Sequence, residues 1–282
     1  MTPTAFALLF FGALGIGALI SIFDDDNDNA GVDTATPQPP NEGGEGDDVI
    51  DHYDPSADED GTLGTRGGDD LVAVDDLNDV MVDLGAGDDS LEGGNYHDVT
   101  ITAGEGDDLV TLEGGEEVAI GTGTGNDTVL LTDPGHGLGV DLGEDDDHIL
   151  ITGATPSADY TGSDVRWLTG GEGNDRFEFV LRPNSDGAPF EDPMTMGHPH
   201  AAIISDFTSG SDRLIVDPST LAGDALYTGY EITSAAGTGY LEIVFRYTHP
   251  DHPTGLAVSV ALVGRGPSGF QESDIEIVGR AV

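Results

Sequence analysis

The chain has 282 residues, of which 55 are acidic and eight are basic, for a formal net charge of -47 at pH 7. This charge excludes a nucleic-acid-binding protein and disfavours binding to anionic membrane surfaces, because both functions need a basic protein surface. The chain has no cysteine, which excludes a disulfide scaffold. Its 43 glycines indicate frequent tight turns.

The chain begins with an apolar segment, residues 3–23, that contains no charged side chain. A helix rising about 1.5 Å per residue over this length can cross a bilayer. We therefore predict an N-terminal apolar helix that serves as an uncleaved anchor, with a signal peptide and a buried helix as alternatives. A signal core is usually shorter, at roughly 7–15 residues, and follows a basic residue that is missing here. Residues 24–42 are acidic and then proline-rich, which is typical of a solvated linker.

Residues 43–180 repeat a glycine-containing turn that ends in aspartate and is followed by an apolar strand. Three consecutive steps between equivalent aspartates are 19 residues, and the next is 20. A fixed period of this size predicts stacked coils, in which each aspartate lies over the previous one. The last aspartates of the seven turns are Asp48, Asp70, Asp89, Asp108, Asp127, Asp147 and Asp175.

Each period holds two short segments in which apolar residues alternate with polar ones, such as 109–112 and 117–120. This alternation indicates strands with one buried face. Two strands and two turns per period predict an all-β fold, a parallel β-roll solenoid with two sheets over a thin core. The longer steps place extra residues near 49–58 and 153–161, which we predict to be loops.

The repeat ends after residue 180, and strand-like runs follow at 240–247, 256–263 and 275–278. A solenoid has to cover its last open edge. We therefore predict that residues 181–282 form a β-rich C-terminal cap.

The stacked aspartates indicate a cation. Adjacent parallel strands lie about 4.8 Å apart, and two unit charges at that distance repel by roughly 3–4 kcal/mol at an effective dielectric near 20. Several such pairs exceed a domain's usual net stability of about 5–15 kcal/mol. Ca²⁺ relieves this repulsion because it binds about six to eight carboxylate and carbonyl oxygens. Mg²⁺ keeps its waters and demands a stricter octahedron, and soft metals would favour Cys or recurrent His.

The turn glycines complete the predicted calcium site, because they allow positive φ and so let backbone carbonyls face the ion. Thr65 and Arg66 replace the first two motif positions in one turn, and Asp145 replaces a glycine in another, so distortion is expected there. Besides the seven aspartates, the predicted site includes Gly44, Gly46, Gly68, Gly85, Gly87, Gly104, Gly106, Gly123, Gly125, Gly143, Gly171 and Gly173.

The opposite turns keep an acidic residue at Asp79, Asp98, Glu117 and Asp164 but have lost most of their glycines. At Gly137 the acidic residue is missing as well. We therefore predict a weak or empty second column on that side.

These turns resemble the nonapeptide G-G-x-G-x-D-x-U-x, where U is apolar, of the RTX or haemolysin-type calcium-binding proteins. The segments 43–50 and 170–177 match its first eight positions, and the resemblance covers about residues 43–180. Residues 204–214 are similar to the stretch that follows the repeats in haemolysin-type proteins. The resemblance implies a parallel β-roll that folds on Ca²⁺, and often export by a type I system. The apolar N-terminal segment departs from that family pattern.

Together these features predict a non-enzymatic, Ca²⁺-binding protein of the cell surface or exterior, with residues 3–23 as a membrane contact. The sequence has no HExxH, no GxSxG and no phosphate-binding loop with lysine. Acid pairs in every coil favour metal ligation, since catalysis needs one site. The alternatives are a secreted enzyme or an adhesin whose active or binding region is residues 181–282.

Overall fold

A computed structural model describes residues 41–54, 61–154, 166–183, 200–220, 222–234, 240–263 and 270–279. The predicted apolar helix and anchor at residues 3–23 lies outside the described residues, as do nearly all of the linker and residues 155–161 of the second predicted loop. In the described ranges no helix is long and apolar enough to span a membrane. The helical element they contain is a 3-10 turn at Glu272–Asp274.

The described residues form an almost entirely β structure. In chain order the strands are β1 (Val49–Ile50), β2 (Thr62–Gly64), β3 (Leu71–Ala73), β4 (Met81–Ala86), β5 (Ser90–Gly94), β6 (His97–Glu105), β7 (Leu109–Glu113), β8 (Glu116–Thr124), β9 (Thr128–Thr132), β10 (Gly139–Asp141), β11 (His148–Ala154), β12 (Trp167–Thr169), β13 (Arg176–Leu181), β14 (His200–Ile204), β15 (Arg213–Asp217), β16 (Leu226–Ser234), β17 (Tyr240–His249), β18 (His252–Val263) and β19 (Ile275–Ile277).

Successive strands alternate between two sheets. The first sheet has nine strands in the order β1-β3-β5-β7-β9-β11-β13-β15-β19, all in parallel pairs. The second sheet runs β16-β17-β18-β14-β12-β10-β8-β6-β4-β2 and is parallel from β2 to β18. The prediction of an all-β chain with parallel sheets is confirmed.

The sequence period sets the register of these sheets. Leu71 pairs with Ser90, and Leu109 pairs with Thr128, in each case 19 residues further along the chain. Because equivalent positions stack, every residue just before a strand of the first sheet is carried into one line. The parallel register therefore places the repeated turns along a single edge of the molecule.

Alternating side chains of both sheets fill the space between them. In the middle coils, β3 to β11, this core is mostly aliphatic, with residues such as Val110 and Val129 fully buried, and Tyr96 is the large ring among them. Each such side chain contributes roughly 1.5–3 kcal/mol on burial. Later coils bury larger rings, including Phe177, whose ring centroid lies 6.1 Å from that of Phe207. The core is thus more aromatic toward the C-terminal end.

The winding continues past residue 180. Strands β14 and β18 extend the second sheet in parallel, and β15 and β19 extend the first. Strands β16 and β17 pair antiparallel and are added to the edge of the second sheet beyond β18. The C-terminal region therefore combines further parallel coils with an antiparallel edge.

Candidate functional site

An aspartate immediately precedes every strand of the first sheet. We call this set the inner column. The sequence predicted seven of its members, and the structure adds Asp212 and Asp274, which precede β15 and β19. The inner column consists of Asp48, Asp70, Asp89, Asp108, Asp127, Asp147, Asp175, Asp212 and Asp274.

A ladder of hydrogen bonds connects the inner column from coil to coil. From Asp48 to Asp175, the backbone nitrogen of each aspartate donates to Oδ1 of the aspartate in the next coil, whereas those of Asp212 and Asp274 donate to the carbonyls of Thr208 and Gln271. The donor–acceptor distance is 2.7 Å from Asp48 to Asp70, 2.8 Å for each of the next four steps, 3.1 Å from Asp147 to Asp175 and 3.2 Å from Asp175 to Asp212. The ladder fixes one oxygen of each carboxylate from Asp70 to Asp212 and orients the other.

Five members of the inner column are buried with one oxygen unsatisfied. Their exposed fraction is between 1% and 3%, and their Oδ2 atoms have no hydrogen-bond partner. A buried polar atom left unpaired costs about 1–3 kcal/mol, and a charged one costs more. These five are Asp70, Asp89, Asp108, Asp127 and Asp147. The fold therefore holds them where their charge is not compensated by the protein.

Burial raises the pKa of these carboxyls above their ordinary value of 3.8. The pKa reaches about 6 for Asp89, about 7 for Asp108 and about 8 for Asp147, and it is also raised for Asp70 and Asp127. Loss of hydration is the largest cause, and neighbouring carboxylates add to it, while the ladder hydrogen bonds oppose it. At Asp70 and Asp127 the nearby hydroxyls of Thr65 and Thr122 also lower the pKa, but each hydroxyl donates its hydrogen to a backbone carbonyl and leaves Oδ2 without a donor. The inner column thus favours either protonation or a bound cation.

A second row of turn residues lies exposed beside the inner column. It runs through Asp47, Asp69, Asp88, Asp107, Asn126, Asp146 and Asn174. Its hydrogen bonds point the other way, since each backbone nitrogen donates to the side chain of the preceding coil, as from Asn126 to Asp107 at 2.8 Å. That bond and the Asn126 side chain lower the pKa of Asp107. The sequence signal for this row was the acid or amide just before each column aspartate.

The predicted turn glycines stack directly on each other. Ten of the twelve have positive φ, whereas Gly44 and Gly46 in the first turn do not. At Gly104, with φ of 127°, an added Cβ would lie 1.9 Å from the carbonyl oxygen of Gly85 in the preceding coil. Glycine is therefore required here by both backbone conformation and space.

The two turns that lack a glycine keep its backbone conformation. Arg66 has φ of 78° and Asp145 has φ of 83°. The following coils still pack onto them, because a Cβ on Gly85 would lie 2.0 Å from the Arg66 carbonyl oxygen. The expected distortion thus takes the form of two side chains in a strained left-handed conformation.

In the opposite turns the acidic residues that the structure describes are exposed and adopt the left-handed backbone conformation of the turn. Asp79, Asp98 and Glu117 are exposed and have φ of 56°, 53° and 56°, and Gly137 has φ of 70°. These turns select for a left-handed backbone, which glycine and aspartate tolerate better than most residues. Asp164, which was assigned to the same side, lies outside the described residues.

Within the part of the chain that the structure describes, no three His, Cys, Asp or Glu side chains converge as a preformed metal centre. An ion at the inner column would therefore need backbone oxygens or water besides the carboxylates. No protein-family model matches this chain, and no curated protein matches it.

Proposed function

We propose that this chain is a calcium-binding β-roll of the RTX type that acts at the cell surface or outside the cell, without catalysis of its own. The observation that carries the proposal is the set of five buried aspartates whose Oδ2 atoms have no hydrogen-bond partner. Each of them is a buried acceptor that the protein leaves unsatisfied within the stacked turns.

The donor chemistry of the inner column fits a hard divalent cation. Its side-chain donors are all carboxylate oxygens, and Ca²⁺ takes about six to eight oxygen ligands in a flexible arrangement that includes backbone carbonyls and water. The exposed acids leave the surface with a large negative potential, which raises the local concentration of cations. When bound, Ca²⁺ supplies the positive charge that offsets both the lost hydration and the mutual repulsion of the carboxylates.

The same features give calcium a structural role. Folding brings the carboxylates into register, so the free energy of binding contributes directly to the free energy of folding. Sites of this kind in extracellular proteins bind at about 10⁻⁴–10⁻³ M. The net charge of -47 would then destabilise the repeat coils where calcium is scarce, and bound calcium would stabilise them where it is abundant.

Titration of the full chain with CaCl2, followed by far-ultraviolet circular dichroism and calorimetry, tests this proposal. The expected result is a gain of β signal that saturates with calcium, reverses with chelator and is not reproduced by the same concentration of Mg²⁺. Identical spectra with calcium and with chelator, together with no heat of binding, would rule the proposal out.

A further inference from the structure

The inner column contains two kinds of aspartate. In contrast to the five with an unpartnered Oδ2, Asp48 accepts a hydrogen bond on Oδ2 from the backbone nitrogen of Gly44 at 2.5 Å. Oδ2 of Asp212 accepts one from the backbone nitrogen of Thr208, also at 2.5 Å. In both cases the turn closes on its own carboxylate.

Asp274 is satisfied in a similar way at the C-terminal end of the column. Its Oδ2 accepts hydrogen bonds from the backbone nitrogen of Gln271 at 2.8 Å and from the Ser209 hydroxyl at 2.5 Å, and its Oδ1 accepts one from Gly210 at 3.3 Å. The side chain is buried, with 3% exposure. Hydrogen-bond donors of the protein therefore satisfy the carboxylate oxygens at this position, as a bound cation would do elsewhere in the column.

The difference follows from the backbone conformation of the residue four positions before each aspartate. At Gly44 and Thr208 the backbone lies outside the positive-φ region, and the N–H reaches the carboxylate. Before the five unsatisfied aspartates, the equivalent residues all have positive φ, from 78° to 127°, and their N–H groups do not reach Oδ2. Those residues are Arg66, Gly85, Gly104, Gly123 and Gly143.

The turn of Asp175 has positive φ at Gly171 but is closed from the next coil. Asp206 accepts hydrogen bonds from the backbone nitrogens of Gly170 and Gly171 at 2.9 and 2.8 Å. Oδ2 of Asp175 is packed against its own turn, since a Cβ on Gly170 would lie 2.4 Å from it. Asp175 is therefore not among the aspartates with a buried, unpartnered Oδ2, although burial raises its pKa to about 6 and its turn matches the repeat motif completely.

We call the five aspartates with a buried, unpartnered Oδ2 open and the other four members of the inner column closed. We propose that ions bind only at the open aspartates, Asp70, Asp89, Asp108, Asp127 and Asp147, and that the closed turns end the column without an ion. This inference rests on the proposed calcium function and specifies where calcium acts. It makes calcium dependence a property of the middle coils, whereas the coils from β13 to β19 are held by the protein itself.

The composition of the core supports this division. Around the closed turns, the ring of Phe207 contacts those of Phe177 and Phe270, with centroids 6.1 and 5.7 Å apart. Aromatic side chains bury more surface than the Val, Leu and Ile side chains that make up most of the core in the middle coils, and ring pairs add to this. Apolar burial thus stabilises the C-terminal coils independently of any cation.

Counting bound ions tests the proposal directly. Native mass spectrometry of the full chain in calcium is compared for the wild type, Asp108→Asn and Asp212→Asn. Asparagine keeps the Oδ1 acceptor of the ladder but places an amide nitrogen, which cannot ligate calcium, at the Oδ2 position. We expect Asp108→Asn to lose at least one ion and Asp212→Asn to keep the wild-type count.

Loss of an ion in Asp212→Asn, or an unchanged count in Asp108→Asn, would overturn the assignment of open and closed turns. A wild type that binds no calcium would instead overturn the proposed function from which the assignment starts. If Asp212→Asn does not fold, Asp274→Asn takes its place, and the next measurement needs no variant.

Hydrogen exchange of the wild-type chain in chelator tests whether calcium dependence is confined to the middle coils. We expect slow exchange in β13–β19 and fast exchange in β3–β11, with the latter becoming protected when CaCl2 is added. Equal protection of both regions, or fast exchange throughout, would contradict a calcium effect confined to the middle coils.

Discussion

Asp89 donates its backbone N–H to Oδ1 of Asp108 at 2.8 Å, while Oδ2 of Asp108 is buried without a partner. One hydrogen bond thus positions the carboxylate, and the same position removes its second oxygen from water. The stacking of the coils itself produces the uncompensated charge, so the need for a counter-ion arises from the fold rather than from a separately built pocket.

Replacing Asp108 by asparagine separates the energetic cost of burying the carboxylate charge from the contribution of that charge to calcium binding. In chelator at pH 8, Asp108→Asn should raise the free energy of unfolding by about 1 kcal/mol or more, because a neutral amide is less costly to bury than an ionised carboxylate. In saturating calcium the same variant should be less stable than the wild type. Urea unfolding in both conditions measures the two effects.

The matched control for that variant is Asp107→Asn, one residue earlier and exposed. It should change the free energy of unfolding by no more than about 0.5 kcal/mol in chelator or calcium. Equal effects of the two substitutions would mean that burial of Asp108 has no special consequence.

The raised carboxyl pKa values give the calcium-free protein an unusual pH dependence. In the folded state the pKa is about 6 for Asp89, about 7 for Asp108 and about 8 for Asp147, against an ordinary value of 3.8. The folded state therefore binds more protons than the unfolded state between about pH 4 and 8, and its stability falls as pH rises through that window.

Calcium should reverse this trend, because protons and calcium compete for the same oxygens and the affinity rises as the carboxyls ionise. Thermal unfolding at pH 5, 6.5 and 8 in chelator and in calcium measures both slopes. A calcium-free protein that is as stable at pH 8 as at pH 5 would show that these carboxyls are not desolvated.

The glycine stack predicts a strong contrast between two alanine substitutions. Gly104→Ala introduces a Cβ at positive φ and 1.9 Å from the Gly85 carbonyl oxygen, so it should destabilise the protein by at least about 2 kcal/mol. Gly121→Ala adds a Cβ with nothing within 4 Å and should stay within about 0.5 kcal/mol. Chemical unfolding in calcium compares the pair, and similar losses would argue against close stacking of the turns.

Asp145 combines backbone strain with unwanted charge, since it has φ of 83° and its charge raises the pKa of Asp127 and Asp147. Asp145→Gly should therefore stabilise the calcium-free protein by about 1 kcal/mol. Asp145→Asn removes the charge and keeps a side chain at positive φ, so the difference between the two variants isolates the strain. Destabilisation by Asp145→Gly in chelator would contradict this reading of the turn.

The sequence predicted the inner column well where its period was regular. Equal steps from Asp70 to Asp127 leave one way to stack equivalent positions, and parallel strands make that stacking a matter of register. Asp212 and Asp274 were missed because longer connections interrupt the period before them. Their signal was weaker, namely an aspartate placed directly before a strand, with Gly210 two residues earlier in one case.

The difference between open and closed turns could not be predicted from the motif. The two turns that match the nonapeptide best end in Asp48 and Asp175, which are closed, whereas less complete turns such as that of Asp108 are open. Whether an N–H reaches a carboxylate depends on the sign of φ at one residue and on contacts from the next coil, such as that of Asp206. The match of a turn to the motif reports neither the sign of φ at that residue nor the contacts from the next coil.

Calcium binding by the open aspartates is tested most directly by a crystal structure of the full chain grown in calcium, with anomalous difference maps to locate the ions. We expect peaks at about 2.3–2.6 Å from Oδ2 of the aspartates between Asp70 and Asp147. Maps without any peak along this column, at calcium concentrations that saturate binding in solution, would contradict this expectation.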